Sequence, residues 1–175
     1  MAAGVPENAR ESEPGWLSGP EQAAWRSLNS LMVRLRAALE ADLERTAGLN
    51  LFEYLVLSGL SEEPGWTLRM SELSARADSS LSRLSHAVSR LEKRGWVVRA
   101  PDPQDGRYTE ARLTRLGWDK IVASAPAHVR AVRRMVVDPL TVQELRQLGS
   151  ASEKVLDGLG HVGGHGSGRE APTPP

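Results

Sequence analysis

The segment from Arg76 to Trp118 is rich in side chains that bind anions. It holds nine lysines or arginines against five aspartates or glutamates, although the whole chain has a net charge of zero. A helical wheel started at Leu81 puts Leu84, Val88 and Leu91 on one apolar stripe, with Ala87 at its edge. The other side carries hydrogen-bond donors and no acid: Ser82, Arg83, His86, Ser89, Arg90 and Lys93.

This distribution suits DNA recognition. Arginine can bind guanine O6 and N7 with two hydrogen bonds, and short serines let a helix approach phosphates and base edges. We expect the helix to span residues 79–94, with Asp78 or Ser79 as its cap, and to stop at Gly95. Backbone N–H groups around Ser79 and Ser80 would then attract a phosphate. The alternative is an ordinary amphipathic helix with a cationic wet face.

A turn-rich stretch, "RAPDPQDGRYTEARLT", follows at residues 99–114. Two prolines, two aspartates and a glycine precede Arg107, and the alternating "YTEARLT" comes after them. The pattern predicts a β-hairpin with a narrow tip that presents Arg107. The tip would contact an anion if the preceding helix binds DNA, whereas the alternative is a plain surface hairpin.

The elements around this segment predict the fold. Long apolar stripes predict helices over residues 20–47 and 114–137, with Pro126 inside the second; "LFEYLVLSGL" predicts a buried helix from Leu51. A short strand is expected at residues 67–69, and Thr141 with Glu144 forms a capping box for a last helix ending near residue 159. The order predicts a mainly α fold with a small β-hairpin wing, a winged helix-turn-helix with long N- and C-terminal helices.

The chain ends are polar and rich in proline or glycine, so residues 1–19 and 160–175 are expected to be disordered, leaving a single domain over residues 20–159. There is no signal-peptide pattern and no apolar run near the ~20 residues that a membrane span needs. A cytoplasmic protein with no membrane partner is therefore expected. The absence of cysteine excludes disulfides, thiolate catalysis and thiol redox sensing.

The hairpin resembles the wing of the multiple-antibiotic-resistance-regulator (MarR) family of bacterial transcription factors. The resemblance rests on Asp105-Gly106-Arg107, five residues, then Leu113-Thr114, and extends through "RMSELSARADSSLSRLSHAVSRLEKRGWVVR", "LTRLG" and "GLNLFEYLVLSGLSEEPG". Together these motifs cover residues 48–117. The chain departs from the pattern at Gly106, where many members have a second arginine, and this departure is expected to weaken wing contacts.

The resemblance implies a homodimeric, sequence-specific regulator, a repressor that reads a pseudo-palindromic operator and is nucleoid-associated when bound. Residues 48–117 would be the DNA-binding lobe, and residues 20–47 and 118–159 the dimerisation helices. The helix 79–94 would enter the major groove, and the wing 99–114 would carry Arg107 to the minor groove with Asp105 holding it. The DNA-contacting set is Ser79, Ser80, Ser82, Arg83, His86, Arg90, Asp105 and Arg107.

Family members often bind small aromatic or phenolic acids between the dimerisation helices and the DNA-binding lobe. By that resemblance, Trp25, Met32, Arg36 and Tyr54 are candidate ligand-pocket residues. A tryptophan and methionine stripe at helical spacing is more often plain core, so both interpretations stay open.

Other functions lack motifs. His161 and His165 lie four apart in a glycine-rich tail with no third ligand nearby, so neither a metal nor another cofactor is expected. The chain has no nucleophile elbow, phosphate-binding glycine loop or histidine-flanked carboxylate pair, and we expect no enzyme activity and no catalytic residues. The remaining alternative is a winged-helix protein-interaction module that does not bind DNA.

Overall fold

The computed structural model describes residues 15–159. It contains six α-helices and three β-strands in the predicted order: α1 Gly19–Ala47, α2 Leu51–Ser61, β1 Thr67–Arg69, α3 Met70–Arg76, α4 Leu81–Lys93, β2 Val97–Pro101, β3 Thr109–Leu113, α5 Arg115–Val132 and α6 Val142–Gly158. The mainly helical winged fold is therefore confirmed. Most of the two ends predicted to be disordered, residues 1–14 and 160–175, lies outside the described residues.

The chain divides into two units, Met1–Arg36 and Ala37–Pro175. In the first unit, α1 exposes large apolar side chains, with Trp25 at 52%, Met32 at 48% and Val33 at 63% of their full accessible surface. A helix that exposes this many apolar groups is suited to pack against another apolar surface.

In the second unit, an antiparallel sheet in the order β1-β3-β2 packs with α2, α3, α4 and α5. Thr67 lies opposite Arg112 in one strand pair, and Val97 lies opposite Leu113 in the other. The largest side chains of the core with essentially no exposed surface are Leu43, Leu49, Val56, Leu57, Leu60, Leu73, Leu84, Val88, Leu91 and Val97. This core fixes α4 and the two wing strands in one lobe.

The ends of the helices follow their capping chemistry. Thr141 and Glu144 form the predicted capping box of α6, and Gly95 has the positive φ of 72° that ends α4. The predicted cap of α4 at Asp78 or Ser79 is wrong, because the Ser79 N–H still bonds the Ser74 carbonyl of α3. Ser80 is the first extended residue, and its hydroxyl accepts from the Arg83 N–H, which makes it the N-cap.

Candidate DNA-binding surface

Helix α4 buries one face and exposes the other. Leu84, Val88 and Leu91 are fully buried, whereas the predicted outward residues Ser82, Arg83, His86, Arg90 and Lys93 are exposed. One placement from the helical wheel is wrong, because Leu81 is 53% exposed rather than part of the buried stripe. Ala87, predicted at the edge of the stripe, is fully buried. Leu81 is the first helical residue, and the buried stripe begins one turn later at Leu84.

Two cations of α4 are held by residues of α2. The Arg83 guanidinium lies 4.4 Å above the centre of the Phe52 ring, in a cation–π arrangement. The Arg90 Nε donates to Glu53 Oε1 at 2.8 Å, although half of the Arg90 side chain remains exposed. These contacts restrict both side chains without removing them from the surface.

Sequence reasoning missed Glu53. Its carboxylate is only 3% exposed, and it also approaches Arg94 Nη1 at 3.7 Å. The same side chain accepts from the Asn50 N–H, and the Asn50 side chain accepts from the Glu53 N–H, so the two cap α2 reciprocally. The acid at the third helical position after asparagine was the available signal for the cap, but nothing in the sequence linked it to Arg90.

The serines before α4 differ in their surroundings. The Ser79 hydroxyl is buried and has no hydrogen-bond partner among the described residues. The Ser80 hydroxyl is occupied by the cap, and its side chain is exposed. Contacts of Ser79 and Ser80 with a phosphate stay a prediction.

The tip of the wing presents Arg107, 83% of whose side chain is exposed. Its Nε and Nη2 donate to the two carboxylate oxygens of Asp105 at 2.9 and 2.6 Å, and its backbone N–H donates to Asp105 Oδ1. Hydrogen bonds from the Arg107 side chain, and then from its N–H, hold the pKa of Asp105 below its ordinary value. The arrangement keeps a charged arginine at the tip with a fixed orientation.

A second aspartate, which sequence reasoning also missed, supports the base of the tip. Asp102 is buried, and its Oδ1 accepts from the N–H of Gln104 at 2.7 Å while its Oδ2 accepts from Arg69 Nε of β1 at 2.5 Å. The hydrogen bond from Gln104, aided by that from Arg69, lowers the pKa of Asp102. Arg69 also lies over the ring of Tyr108 at 4.7 Å, so β1 holds both sides of the loop.

Arg99 joins the wing to α4. From β2, its side chain donates to Glu92 Oε2 at 2.6 Å and to the hydroxyls of Ser85 and Ser89 at 3.3 and 3.0 Å. Its backbone N–H donates to Glu92 Oε1 at 3.0 Å. The cationic surface of α4 and the wing therefore belong to one connected body.

The end of the hairpin is fixed to α5. The Thr114 hydroxyl donates to the Gly95 carbonyl at 2.7 Å and accepts from the Gly117 N–H at 3.0 Å, which caps α5. A Cβ on Gly117 would lie 2.1 Å from the carbonyl oxygen of Trp96, so only glycine fits there. This contact accounts for the threonine and glycine of the "LTRLG" motif.

The candidate pocket residues have different exposures. Trp25, Met32 and Arg36 are exposed on α1, whereas Tyr54 on α2 is buried. The Tyr54 ring lies 4.3 Å from that of His128 on α5, centre to centre. Burial, and then the charge of Glu62, raises the pKa of Tyr54; burial lowers the pKa of His128, opposed by Asp42. His128 is half-buried.

Within residues 15–159, no cluster of three or more metal-binding side chains occurs, and no helix has the length and apolarity to cross a membrane. His161 and His165 lie outside the described residues.

Solved structures resemble this chain over most of its length. Sco3205, a MarR family transcriptional regulator from Streptomyces coelicolor solved in complex with DNA, is 43% identical, with 85% of this chain and 92% of that chain covered and a TM-score of 0.82. The PcaV transcriptional regulator of the same organism, solved with its natural ligand, is 27% identical, with 74% and 91% covered and a TM-score of 0.65.

Sequence comparisons agree. The HTH-type transcriptional repressor IacR of Pseudomonas putida is 40% identical over 52 residues, which are 30% of this chain and 31% of IacR, so the match spans about a third of that relative. The MarR family model matches residues 47–107, which contain α2 to the wing tip. Together with the likeness to Sco3205 over nearly its whole length, these matches establish that the chain belongs to the MarR family of transcriptional regulators, not to a family of enzymes.

Proposed function

We propose that the protein is a homodimeric repressor that binds a pseudo-palindromic operator, with α4 in the major groove and the wing at the minor groove. The observation that carries the proposal is the rigid cationic surface of one lobe: Arg83 and Arg90 on α4, and Arg107 at the wing tip, are exposed yet held by Phe52, Glu53 and Asp105. Side chains fixed in this way lose little conformational entropy when they bind.

The wing role follows from charge and shape. A narrow minor groove has the most negative potential of the duplex and attracts an arginine. Arg107 is the most exposed of the arginines that form salt bridges in the described part of the chain. The Asp105 carboxylate orients it, so one charge positions and the other binds.

Dimerisation is supported by apolar surface that the described chain leaves uncovered. In the first unit, Trp25, Leu31, Met32 and Val33 are exposed; in the second, Val155 and Leu156 of α6 and its C-cap Leu159 are each more than half exposed. Burying such groups against a second copy would stabilise a dimer, since each Å² of apolar area contributes about 25 cal/mol. Two-fold symmetry would then separate the reading helices by about one DNA turn, ~34 Å.

Release by a small aromatic or phenolic ligand is the less developed part of the proposal. Buried Tyr54 and half-buried His128 form an aromatic pair that also carries polar groups, and His128 Nδ1 has no hydrogen-bond partner among the described residues. PcaV, a relative of this chain, binds a natural ligand. The absence of cysteine leaves a ligand or another non-thiol signal as the switch.

The direct test is binding of the purified protein to the DNA upstream of its own gene, measured by gel shift at several salt concentrations. We expect binding that weakens steeply as salt rises, because phosphate contacts release counterions. The absence of binding to this fragment and to random DNA at low salt would contradict the proposal and favour the protein-interaction module.

The dimer is tested by sedimentation at micromolar concentration. We expect the wild-type protein to sediment as a dimer and Leu156→Glu to sediment as a monomer, since a charge would replace an exposed apolar group on α6. Ser152→Glu on the same helix is the matched control. A wild-type monomer would contradict the proposed operator geometry.

A further inference from the structure

Leu81 is a large apolar residue that lies outside the core. It begins α4, and 53% of its surface is exposed, whereas the other two leucines of the helix, Leu84 and Leu91, are fully buried. The residues on either side, Ser80 and Ser82, are exposed as well. A large apolar side chain thus stands at the leading end of a polar surface.

The cap that begins α4 does not use the Leu81 side chain. The first residue of a helix tolerates most side chains, and the cap comes from the Ser80 hydroxyl. Helix α4 is attached to the core by its four fully buried residues, Leu84, Ala87, Val88 and Leu91. More than half of the Leu81 surface is left uncovered by the described residues, so the side chain is available for an external contact.

Its position on α4 indicates what that contact is. In helix-turn-helix proteins, the N-terminal residues of the second helix contact base edges in the major groove. The base edges there present hydrogen-bond donors and acceptors, and thymine presents an apolar C5-methyl group in addition to its O4 acceptor. An exposed leucine cannot form hydrogen bonds with a base edge, but it can exclude water from a methyl group.

We propose that Leu81 packs against a thymine methyl group in each operator half-site and is a specificity-determining residue. This inference rests on the proposed function, because it needs α4 in the major groove. Arg83 supplies hydrogen bonds from the same turn of the helix, and Leu81 supplies discrimination for thymine that no hydrogen-bonding residue gives.

The experiment removes the methyl group without changing any hydrogen bond. An operator is first selected from random duplex DNA by the wild-type protein. Each symmetric pair of thymines is then replaced by deoxyuridine, and the dissociation constants of wild type, Leu81→Ala and Leu81→Met are measured at one salt concentration. Alanine removes most of the apolar contact, whereas methionine keeps a comparable volume.

For wild type, we expect one symmetric pair to weaken binding about fourfold per half-site, or about sixteenfold in total, as the burial of one methyl group predicts. Leu81→Ala should bind the thymine operator less tightly and lose this discrimination, and Leu81→Met should retain most of it. Unchanged thermal unfolding of Leu81→Ala would show that the fold is intact.

Two results would overturn the inference while leaving the proposed function standing. One is an operator that wild type binds equally well with deoxyuridine at every thymine. The other is a discrimination that Leu81→Ala keeps in full. Failure to select any DNA would instead remove the proposed function, and the inference with it.

Discussion

The Arg99 side chain of β2 donates two hydrogen bonds to one Glu92 carboxylate oxygen of α4, at 3.0 and 2.6 Å, while the Arg99 N–H donates to the other oxygen. Both side chains are about 30% exposed, at 32% and 28%. Through this pair, an acid of α4 holds the strand that leads to Arg107.

The role of Glu92 predicts a change in DNA affinity opposite in sign to the change expected from charge repulsion alone. Removing a negative charge near DNA should tighten binding, but Glu92→Gln should weaken it several-fold because the wing is no longer held to α4. The free energy of unfolding should fall by less than about 1 kcal/mol, as for other partly exposed pairs. Fluorescence anisotropy on an operator duplex measures the affinity.

Glu110→Gln on β3 is the matched control for this prediction. Glu110 is partly exposed and belongs to the same lobe. It should bind DNA as tightly as wild type or slightly more tightly. If Glu92→Gln behaves in the same way as the control, the wing does not depend on the Arg99 contact.

Glu53→Gln should destabilise the fold by about 1–3 kcal/mol, because it replaces a buried charged hydrogen-bond acceptor with a neutral one. The carboxylate caps α2 and binds Arg90, so the same change should loosen Arg90 and reduce DNA affinity. Urea unfolding gives the stability, with exposed Glu153→Gln on α6 expected within about 0.5 kcal/mol of wild type. Equal stabilities of the two variants would show that Glu53 does not support the lobe.

Asp102 makes stability depend on pH. Its pKa is lower in the folded than in the unfolded chain, because the Gln104 N–H and Arg69 stabilise the charged form. Its contribution is therefore complete above the unfolded value of about 3.9 and is lost as the pH falls through the lower, folded value. Asp102→Asn lacks this term, so the melting temperature of wild type should fall more steeply with acidification. If the melting temperatures of the two proteins fell equally with decreasing pH, this assignment would be contradicted.

Gly117→Ala should destabilise the junction of the wing and α5 by at least about 1–3 kcal/mol, because its Cβ would overlap the Trp96 carbonyl. Gly149→Ala on α6 is the control, since a Cβ there meets nothing within 4 Å. That variant should gain about 0.5–1 kcal/mol from the lower entropy of the unfolded chain and the better helix propensity. Thermal unfolding measures both variants. A shift of the two melting temperatures in the same direction from wild type would contradict the account.

Local signals predicted the elements well. The capping box at Thr141, the stop at Gly95 and the short strand at residues 67–69 are each set by a few neighbouring residues, and all three are confirmed. The helical wheel failed at Leu81 because it takes no account of where a helix begins, and Leu81 is the first residue of α4. At a first turn, the wheel angle alone does not decide burial.

Contacts between distant residues could not be predicted. Glu53 and Arg90 are 37 positions apart, and Arg69 and Asp102 are 33 apart. In the sequence, these four charged residues look like ordinary surface residues. Only the packing of α2 on α4, or of β1 beside the wing, brings each pair together. The Asp105–Arg107 pair was expected from the resemblance to the family's wing, whose motif contains both residues.

The proposed DNA-binding role of the wing is tested most directly by the salt dependence of operator affinity for wild type, Arg107→Ala and Arg133→Ala. Arg133 is the matched control, an exposed arginine that binds a nearby acid, Asp138, outside the DNA-binding lobe. We predict that Arg107→Ala weakens binding and makes the slope of log affinity against log salt less steep by about one for each wing, because each wing loses one phosphate contact. Arg133→Ala should match wild type. A wild-type slope for Arg107→Ala would contradict the placement of the wing on DNA.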